Sequence, residues 1–321
     1  MATAYFFRVA GLTFAVVLPA RFEASTLLPS FRPFRMDIPS DAAPVFRLTV
    51  TADTPSAELT MELLGESDND MGHVLLFRTA AGYRLVVDYA SEPGVCHTLD
   101  TDATFSRATA NIQPNAQNLS TALSSMLRIL FAQAVVQRGG VSVHAAAVSF
   151  GGCAYLFLGR SGTGKSTHAR QWLQAFPGSH LLNDDNPVLR LSDGRLVAYG
   201  TPWSGKTPCY RNEEAPVAGI VRLQQSPANR FAALEGPSAF AALLPSCSVI
   251  RSDARLQDAL HATLAGIVAA VSIGHMECRP DLEAAHVCHR GILAASASVV
   301  AARLPTKIRL NSDDAQTHIG M

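Results

Sequence analysis

Lysine is nearly absent from this chain: Lys165, Lys206 and Lys307 leave 23 arginines among its 26 basic residues. Charge of either sign is scarce, at 16% of residues, and Lys plus Arg balances Asp plus Glu at 26 each. No net field draws the chain onto nucleic acid or an anionic membrane, so any partner is recognised locally. The six cysteines (Cys96, Cys153, Cys209, Cys247, Cys278, Cys288) form no CxxC pair and no dense framework. That spacing excludes a disulfide scaffold and fits free thiols in a reducing compartment, so a cytoplasmic location is expected. The opening MATAYFFRVAGLTFAVVLPA lacks the basic start of a signal peptide and is interrupted by Arg8. The apolar helical stretch Leu260–Val271 is too short to cross a bilayer and carries His261. A soluble protein is therefore expected.

What the chain does have is apolar material, 48% of 321 residues, enough for a sizeable core and for two domains, with one large domain still open. Up to about residue 112, short runs rich in Val, Phe, Tyr and Thr alternate with Gly, Pro, Asp and Ser. Tyr5–Arg8 and Leu12–Leu18 predict a hairpin, and Phe46–Thr51, Val74–Arg78 and Tyr83–Tyr89 predict further strands. Residues 1–115 are thus expected to form a mainly β domain. Apolar residues at three- and four-residue spacing from Asn118, stopped by Gly139–Gly140, predict a long helix opening a second domain over residues 116–304. Strands follow at Val141–Phe150, Ala154–Leu158 and His180–Leu182, with a helix to Phe176 between the last two. A hairpin of Val188–Leu191 with Leu196–Tyr199 turns at Asp193–Gly194. Ser252–Val271 reads as helix, Ser272–Arg279 as strand and Asp281–Ala295 as helix, while the tail 305–321 shows no period and is expected to be disordered.

The most specific signal is Gly159-Arg160-Ser161-Gly162-Thr163-Gly164-Lys165-Ser166, a complete G-x-x-x-x-G-K-S phosphate loop between a buried-strand pattern and a helix. Its glycines allow backbone amides to converge on phosphate oxygens at a helix N-terminus. Lys165 would reach the β/γ oxygens and Ser166 a Mg²⁺ ion. Nineteen residues past Lys165, the run Leu181–Leu182 ends in Asn183-Asp184-Asp185. One carboxylate of that pair can hold Mg²⁺ while its neighbour takes a hydroxyl proton, because ligands of open α/β sheets lie at the carboxyl ends of strands. A solvated Asn-Asp turn is the plain alternative. His144 lies one strand before the loop, where a lone histidine is ordinarily a core or rim residue. The set His275, Cys278, His286, Cys288 and His289 contains enough ligands for zinc, but its spacing matches no familiar pattern and reads as strand, Pro280 and helix.

Ser161 to Thr167 followed by Asn183-Asp184-Asp185, with His144 in a Val-His-Ala-Ala context, resembles the catalytic domain of the HPr kinase/phosphorylases and their relative, ATP-dependent phosphoenolpyruvate carboxykinase. The resemblance covers about residues 120–295. It implies an α/β fold with a nucleotide-binding domain of the HPr kinase/carboxykinase type, ATP and Mg²⁺ as donor and cofactor, and transfer of the γ-phosphoryl group to a hydroxyl. The implied binding residues are Gly159, Ser161, Gly162, Thr163, Gly164, Lys165, Ser166 and Thr167. Asp184 would be the proton acceptor, Asp185 with Ser166 the metal ligands, and His144 an active-site residue. Where HPr kinases carry a Leu-Glu-Ile-Arg-Gly-type segment, this chain has Tyr199-Gly200-Thr201-Pro202-Trp203-Ser204-Gly205-Lys206. The resemblance therefore does not extend to HPr as substrate or to phosphorylase activity. The expected acceptor is a serine of a peptide or small protein; the alternatives are a small-molecule kinase and an ATP-dependent switch without catalysis. No nucleic-acid or membrane partner is expected, and a homo-oligomer is compatible with the sequence. Lys206 joins the candidates because a chain that writes almost every cation as Arg retains Lys where a planar guanidinium would not fit.

Overall fold

The computed structural model of the chain describes residues 1–37, 43–52, 60–69 and 72–303. The architecture is mixed α/β on two nine-stranded sheets. The first comprises β1 (Ala2–Val9), β2 (Leu12–Pro19), β3 (Arg35–Met36), β4 (Arg47–Thr51), β5 (Glu62–Asn69), β6 (Gly72–Arg78), β7 (Gly82–Asp88), β8 (Cys96–Asp102) and β9 (Arg107–Asn111), with the short helix α1 (Ala24–Leu27) between β2 and β3. Its order is β3-β1-β2-β4-β9-β8-β7-β6-β5. The predicted opening hairpin is present: Val9 pairs with Leu12 across Ala10 and Gly11, both at positive φ, as a tight two-residue turn requires. The other predicted strands of this half match β4, β6 and β7, while β3, β5, β8 and β9 are additional.

Next come α2 (Leu119–Val136), β10 (Gly140–Ser142), β11 (Ala145–Phe150), β12 (Cys153–Leu158), α3 (Lys165–Ala175), β13 (His180–Asn183), β14 (Val188–Ser192), β15 (Arg195–Tyr199), β16 (Glu214–Gln225) and β17 (Arg230–Leu234). The chain continues through α4 (Gly236–Leu243), α5 (Ala254–Ala270), β18 (Ser272–Cys278) and α6 (Leu282–Arg303). The tail expected to be disordered lies outside the described residues. Helix α2 is long and apolar enough to span a bilayer by length and composition, which the sequence reading did not register; 72% of that stretch is buried inside the protein.

The second sheet centres on the order β13-β11-β12-β16-β18-β17, and β10-β14-β15 joins it through the first residues of β16. Strand β12 is parallel to β16, and β16 to β18, whereas β11 runs antiparallel to both β12 and β13. The carboxyl ends of β12 and β13 and the start of β11 therefore share one edge. Pleating sends alternate side chains to opposite faces. Tyr155 and Phe157 pack with Trp172 of α3 and Ala285 and Cys288 of α6, while Leu156 and Leu158 join the larger core with α2, α5 and the first sheet.

One strand over Val141–Phe150 is expected from the sequence, and the structure corrects this to two. Strand β10 pairs with β14, whereas β11 pairs with β12 and β13. At the break the Val143 N–H donates to the Pro187 carbonyl and the His144 N–H to the Ser246 carbonyl. The chain exchanges one set of partners for another there, which lifts His144 out of the pleat. Strand β16 escapes the sequence reading because Pro216 and Gly219 look like breakers. Pro216 stands where β16 passes from β15 to β12. Gly219 is required by close packing, since a Cβ there would lie 2.5 Å from a methyl of Ile292 in α6. Gly219→Ala is therefore expected to destabilise the protein by about 1–3 kcal/mol, the usual cost of overpacking. Urea denaturation checks this, and Ile292→Ala in the same chain should return part of the loss.

Candidate active site

Register alone brings three separate pieces of sequence together. Ala145, the first residue of β11, pairs with Leu158, the last of β12, so His144 and Gly159 extend the two strands side by side. The Ala145 N–H donates to the Asp185 carbonyl at 3.0 Å, which fixes the carboxylate pair beside them. Asn183 locks this corner. Its amide NH₂ donates to the Thr201 and Trp203 carbonyls, and its Oδ1 accepts the Asp185 and Asn186 N–H groups, with the whole side chain buried.

The phosphate loop occupies the turn from β12 into α3. Gly162 and Gly164 have φ of +78° and +103°, and Gly164 caps the helix. Side chains disfavour that region of backbone space, which accounts for glycine at both positions. Lys165 is buried, with Nζ 3.0 Å from the Gly159 carbonyl oxygen, 3.3 Å from that of Arg160 and 2.9 Å from His144 Nε2. An ammonium only donates, so Nε2 accepts and Nδ1 carries the imidazole proton. That proton points at Asp185 Oδ1, 3.0 Å away, and Asp185 Oδ2 accepts from Arg128 Nη1 at 2.9 Å. A chain of contacts Lys165–His144–Asp185–Arg128 thus links the loop to α2.

The electrostatics follow from that chain. Burial pushes the Lys165 ammonium below the ordinary lysine value, against the attraction of Asp185 and Asp184. Burial acts on Asp185 in the direction of a higher value, but the His144 hydrogen bond and the charges of Arg128 and Lys165 outweigh it. Asp185 is therefore ionised well into acid. Asp184 is equally buried but more lightly held, accepting the Thr207 N–H on Oδ2 at 3.2 Å.

Each candidate from the sequence has a definite place. Gly159, Ser161, Gly162, Thr163, Gly164, Lys165, Ser166 and Thr167 form one loop and the first turn of α3. Gly162, Thr163, Gly164 and Thr167 border a cleft of about 360 Å³ together with Gln171, Gln225 and Arg279. His144 touches both Lys165 and Asp185. Lys206 is exposed on the turn whose Gly205 lies in ordinary contact range of Asp184, a Cβ there falling 3.4 Å from Oδ2. Among the described residues, no three His, Cys, Asp or Glu side chains gather as a metal cluster. Cys288 instead lies in the core between α3 and α6, and His289 packs against Tyr155, Trp172 and Phe176.

Arg128 is the residue that sequence reasoning missed. Its signal was present, because it is the sole charged residue in the 18 of α2. A lone charge in an otherwise apolar buried helix calls for a buried partner.

No family model matches this chain, and no curated protein matches it. Among solved structures, the HPr(Ser) kinase/phosphatase from Coxiella burnetii aligns with 12% identity over 48% of this chain and 97% of that one, at a TM-score of 0.30. A likeness that slight decides nothing about chemistry.

Removing one member of a buried pair leaves the other uncompensated. Arg128→Met is expected to cost about 3 kcal/mol on that account. Asp185 is held below its unfolded value of about 3.9, so its contribution to stability is present above that pH and is lost as pH falls through the folded value. Without Arg128 that loss should set in at higher pH, which denaturation midpoints measured between pH 3 and 7 will show.

Proposed function

We propose that the chain is an ATP- and Mg²⁺-dependent phosphotransferase that moves the γ-phosphoryl group to a hydroxyl. In this reading residues 116–304 are an HPr-kinase-like ATP-binding domain behind a mainly β domain of residues 1–115. The observation that carries it is the meeting, on one sheet edge, of a phosphate loop with a buried lysine and a pair of buried carboxylates of unequal environment. A glycine-rich turn that merely capped a helix would need neither the lysine nor the carboxylates.

The roles follow from position. The amides between Gly159 and Thr167 receive phosphate oxygens, and Lys165 exchanges its carbonyl partners for the β/γ oxygens. Ser166 and Asp185 would hold Mg²⁺; the donor set fits, since this hard cation takes one or two carboxylates and completes its shell with phosphate oxygens and water. When bound, the ion neutralises charge on the transferring phosphate. Asp184, held by one backbone amide, would take the acceptor proton, while His144 fixes the orientation of Asp185 and links it by hydrogen bonds to Lys165. Lys206, beside the Gly205 that lies near Asp184, would act on the γ-phosphoryl group. The resemblance points to a serine of a peptide or small protein as acceptor.

Asp184→Asn is expected to lower transfer by about 10²–10⁴ with ATP binding kept, the range for loss of a general base. Labelled product from γ-labelled ATP and equilibrium ATP binding, measured together, check it. An unchanged rate would leave the carboxylates as a turn, whereas ATP binding with no labelled product from the unaltered chain would favour the switch reading. Lys206→Ala and Lys206→Arg should both lower kcat with a smaller effect on ATP affinity, because the charge acts on the transition state. A fully active Lys206→Arg enzyme would remove the steric part of that assignment.

A further inference from the structure

A nucleotide whose γ-phosphoryl group is to reach Asp184 has its nucleoside at the other end of the phosphate loop. The cleft of about 360 Å³ beside that loop suits this end, because Gly162, Thr163, Gly164 and Thr167 are among its walls and neither carboxylate is. Its other walls include Gln225 and Cys278, the last residues of β16 and β18, which run parallel to β12. Ligands of such sheets lie at these strand ends. Gln225 Nε2 donates to the Gly162 carbonyl at 3.2 Å, which ties this wall to the loop.

Two polar atoms of α3 in the wall of the cleft have no partner, His168 Nδ1 and Gln171 Oε1. Their residues are three apart, on one side of the helix, and only 2% and 7% exposed. Trp172 Nε1 donates to His168 Nε2 at 3.1 Å, so Nε2 accepts and Nδ1 carries the proton. Burial pushes the ring down to about 4, so it is neutral at pH 7 and Nδ1–H is a single fixed donor. An unpaired donor beside an unpaired acceptor costs stability that an apolar pair in the same place would not.

A base edge meets both demands. Adenine carries an amine flanked by unprotonated ring nitrogens, which sets a donor next to an acceptor. Guanine has a carbonyl in place of that amine and would bring oxygen against oxygen at Gln171. Cytosine shows a similar pair on a single ring, which fills less of the cleft. Arg279, also in the wall, is held by Asp281 at 2.8 Å and Glu283 at 3.0 Å, and a guanidinium fixed in this way offers a flat face on which a purine can stack.

We infer that His168 and Gln171 select the base of the nucleotide, His168 Nδ1–H donating to a ring nitrogen of adenine and Gln171 Oε1 accepting from its exocyclic amine. The inference rests on the phosphotransferase reading and adds to it the residues that tell ATP from other triphosphates.

The test measures equilibrium binding to the full chain, with Mg²⁺, of ATP, GTP, CTP, purine riboside triphosphate, 1-deaza-ATP, 7-deaza-ATP and inorganic tripolyphosphate. GTP, CTP and purine riboside triphosphate, which lacks the amine, should each bind about tenfold or more weakly than ATP, since a missing partner leaves a buried polar group unpaired. One of the two deaza nucleotides should lose as much, through the missing acceptor for His168. Gln171→Leu should bring ATP down to the level of purine riboside triphosphate and leave tripolyphosphate binding where it was. His168→Phe also removes the acceptor of the Trp172 N–H, so the deaza nucleotides on the unaltered chain test His168 whether or not that variant folds. Equal binding of ATP and purine riboside triphosphate, or a Gln171→Leu chain that still tells them apart, overturns the base assignment and leaves the phosphate loop standing, with the two side chains free to pair with each other. Two unweakened deaza nucleotides remove His168 from the assignment. Binding of neither ATP nor tripolyphosphate overturns the phosphotransferase reading as well.

Discussion

A buried carboxylate has to find its compensation inside the protein, and Asp185 finds it from three directions. Arg128 comes from α2, His144 from the break before β11, and Lys165, whose charge acts from behind His144, from the start of α3. None of these is close to the others in sequence, and each would be costly to bury alone. Together they fasten the phosphate loop, the carboxylate corner and the first helix of this half to one another. The lowered lysine and the lowered aspartate are two expressions of that single arrangement, one dominated by burial and the other by its partners.

The backbone makes the arrangement affordable. Splitting the strand at His144 lets one sheet change partners without leaving amides unpaired, because the freed groups of Val143 and His144 reach Pro187 and Ser246. The histidine is thereby placed at the sheet edge, with its side chain between the lysine and the carboxylate. The opposed directions of β11 and its neighbours do the rest, since they put the start of one strand beside the ends of two others. Cavities lie at either end of the resulting charge chain, one against the loop glycines and one against α2.

Apolar packing sets how far this edge can move. Trp172 and Phe157 pin α3 to the sheet from one side. Phe31, Phe131 and Trp203 form a ring cluster on the other, joining the first sheet's connection, α2 and the loop that carries Ser204. Aromatic rings bury large areas with few rotatable bonds, so such a cluster fixes position at small entropic cost. A loop that has to hold Gly205 and the Thr207 N–H against Asp184 benefits from an anchor of this kind.

By itself the sequence determined whatever depends on neighbours along the chain. The phosphate loop was legible because its glycines and lysine act within eight consecutive residues, and the helices α2, α3, α5 and α6 were legible because their apolar period is local. Asp184 and Asp185 were legible as a pair at a strand end. The division of Val141–Phe150, the course of β16 through Pro216 and Gly219, and the part played by Arg128 were decided by tertiary structure. Each depends on what lies opposite: a change of strand partner, an Ile292 methyl pressed on a backbone, a carboxylate 57 positions away. Local pattern records which face of an element is apolar, whereas the partner of a buried charge is set by how distant elements come to rest against one another.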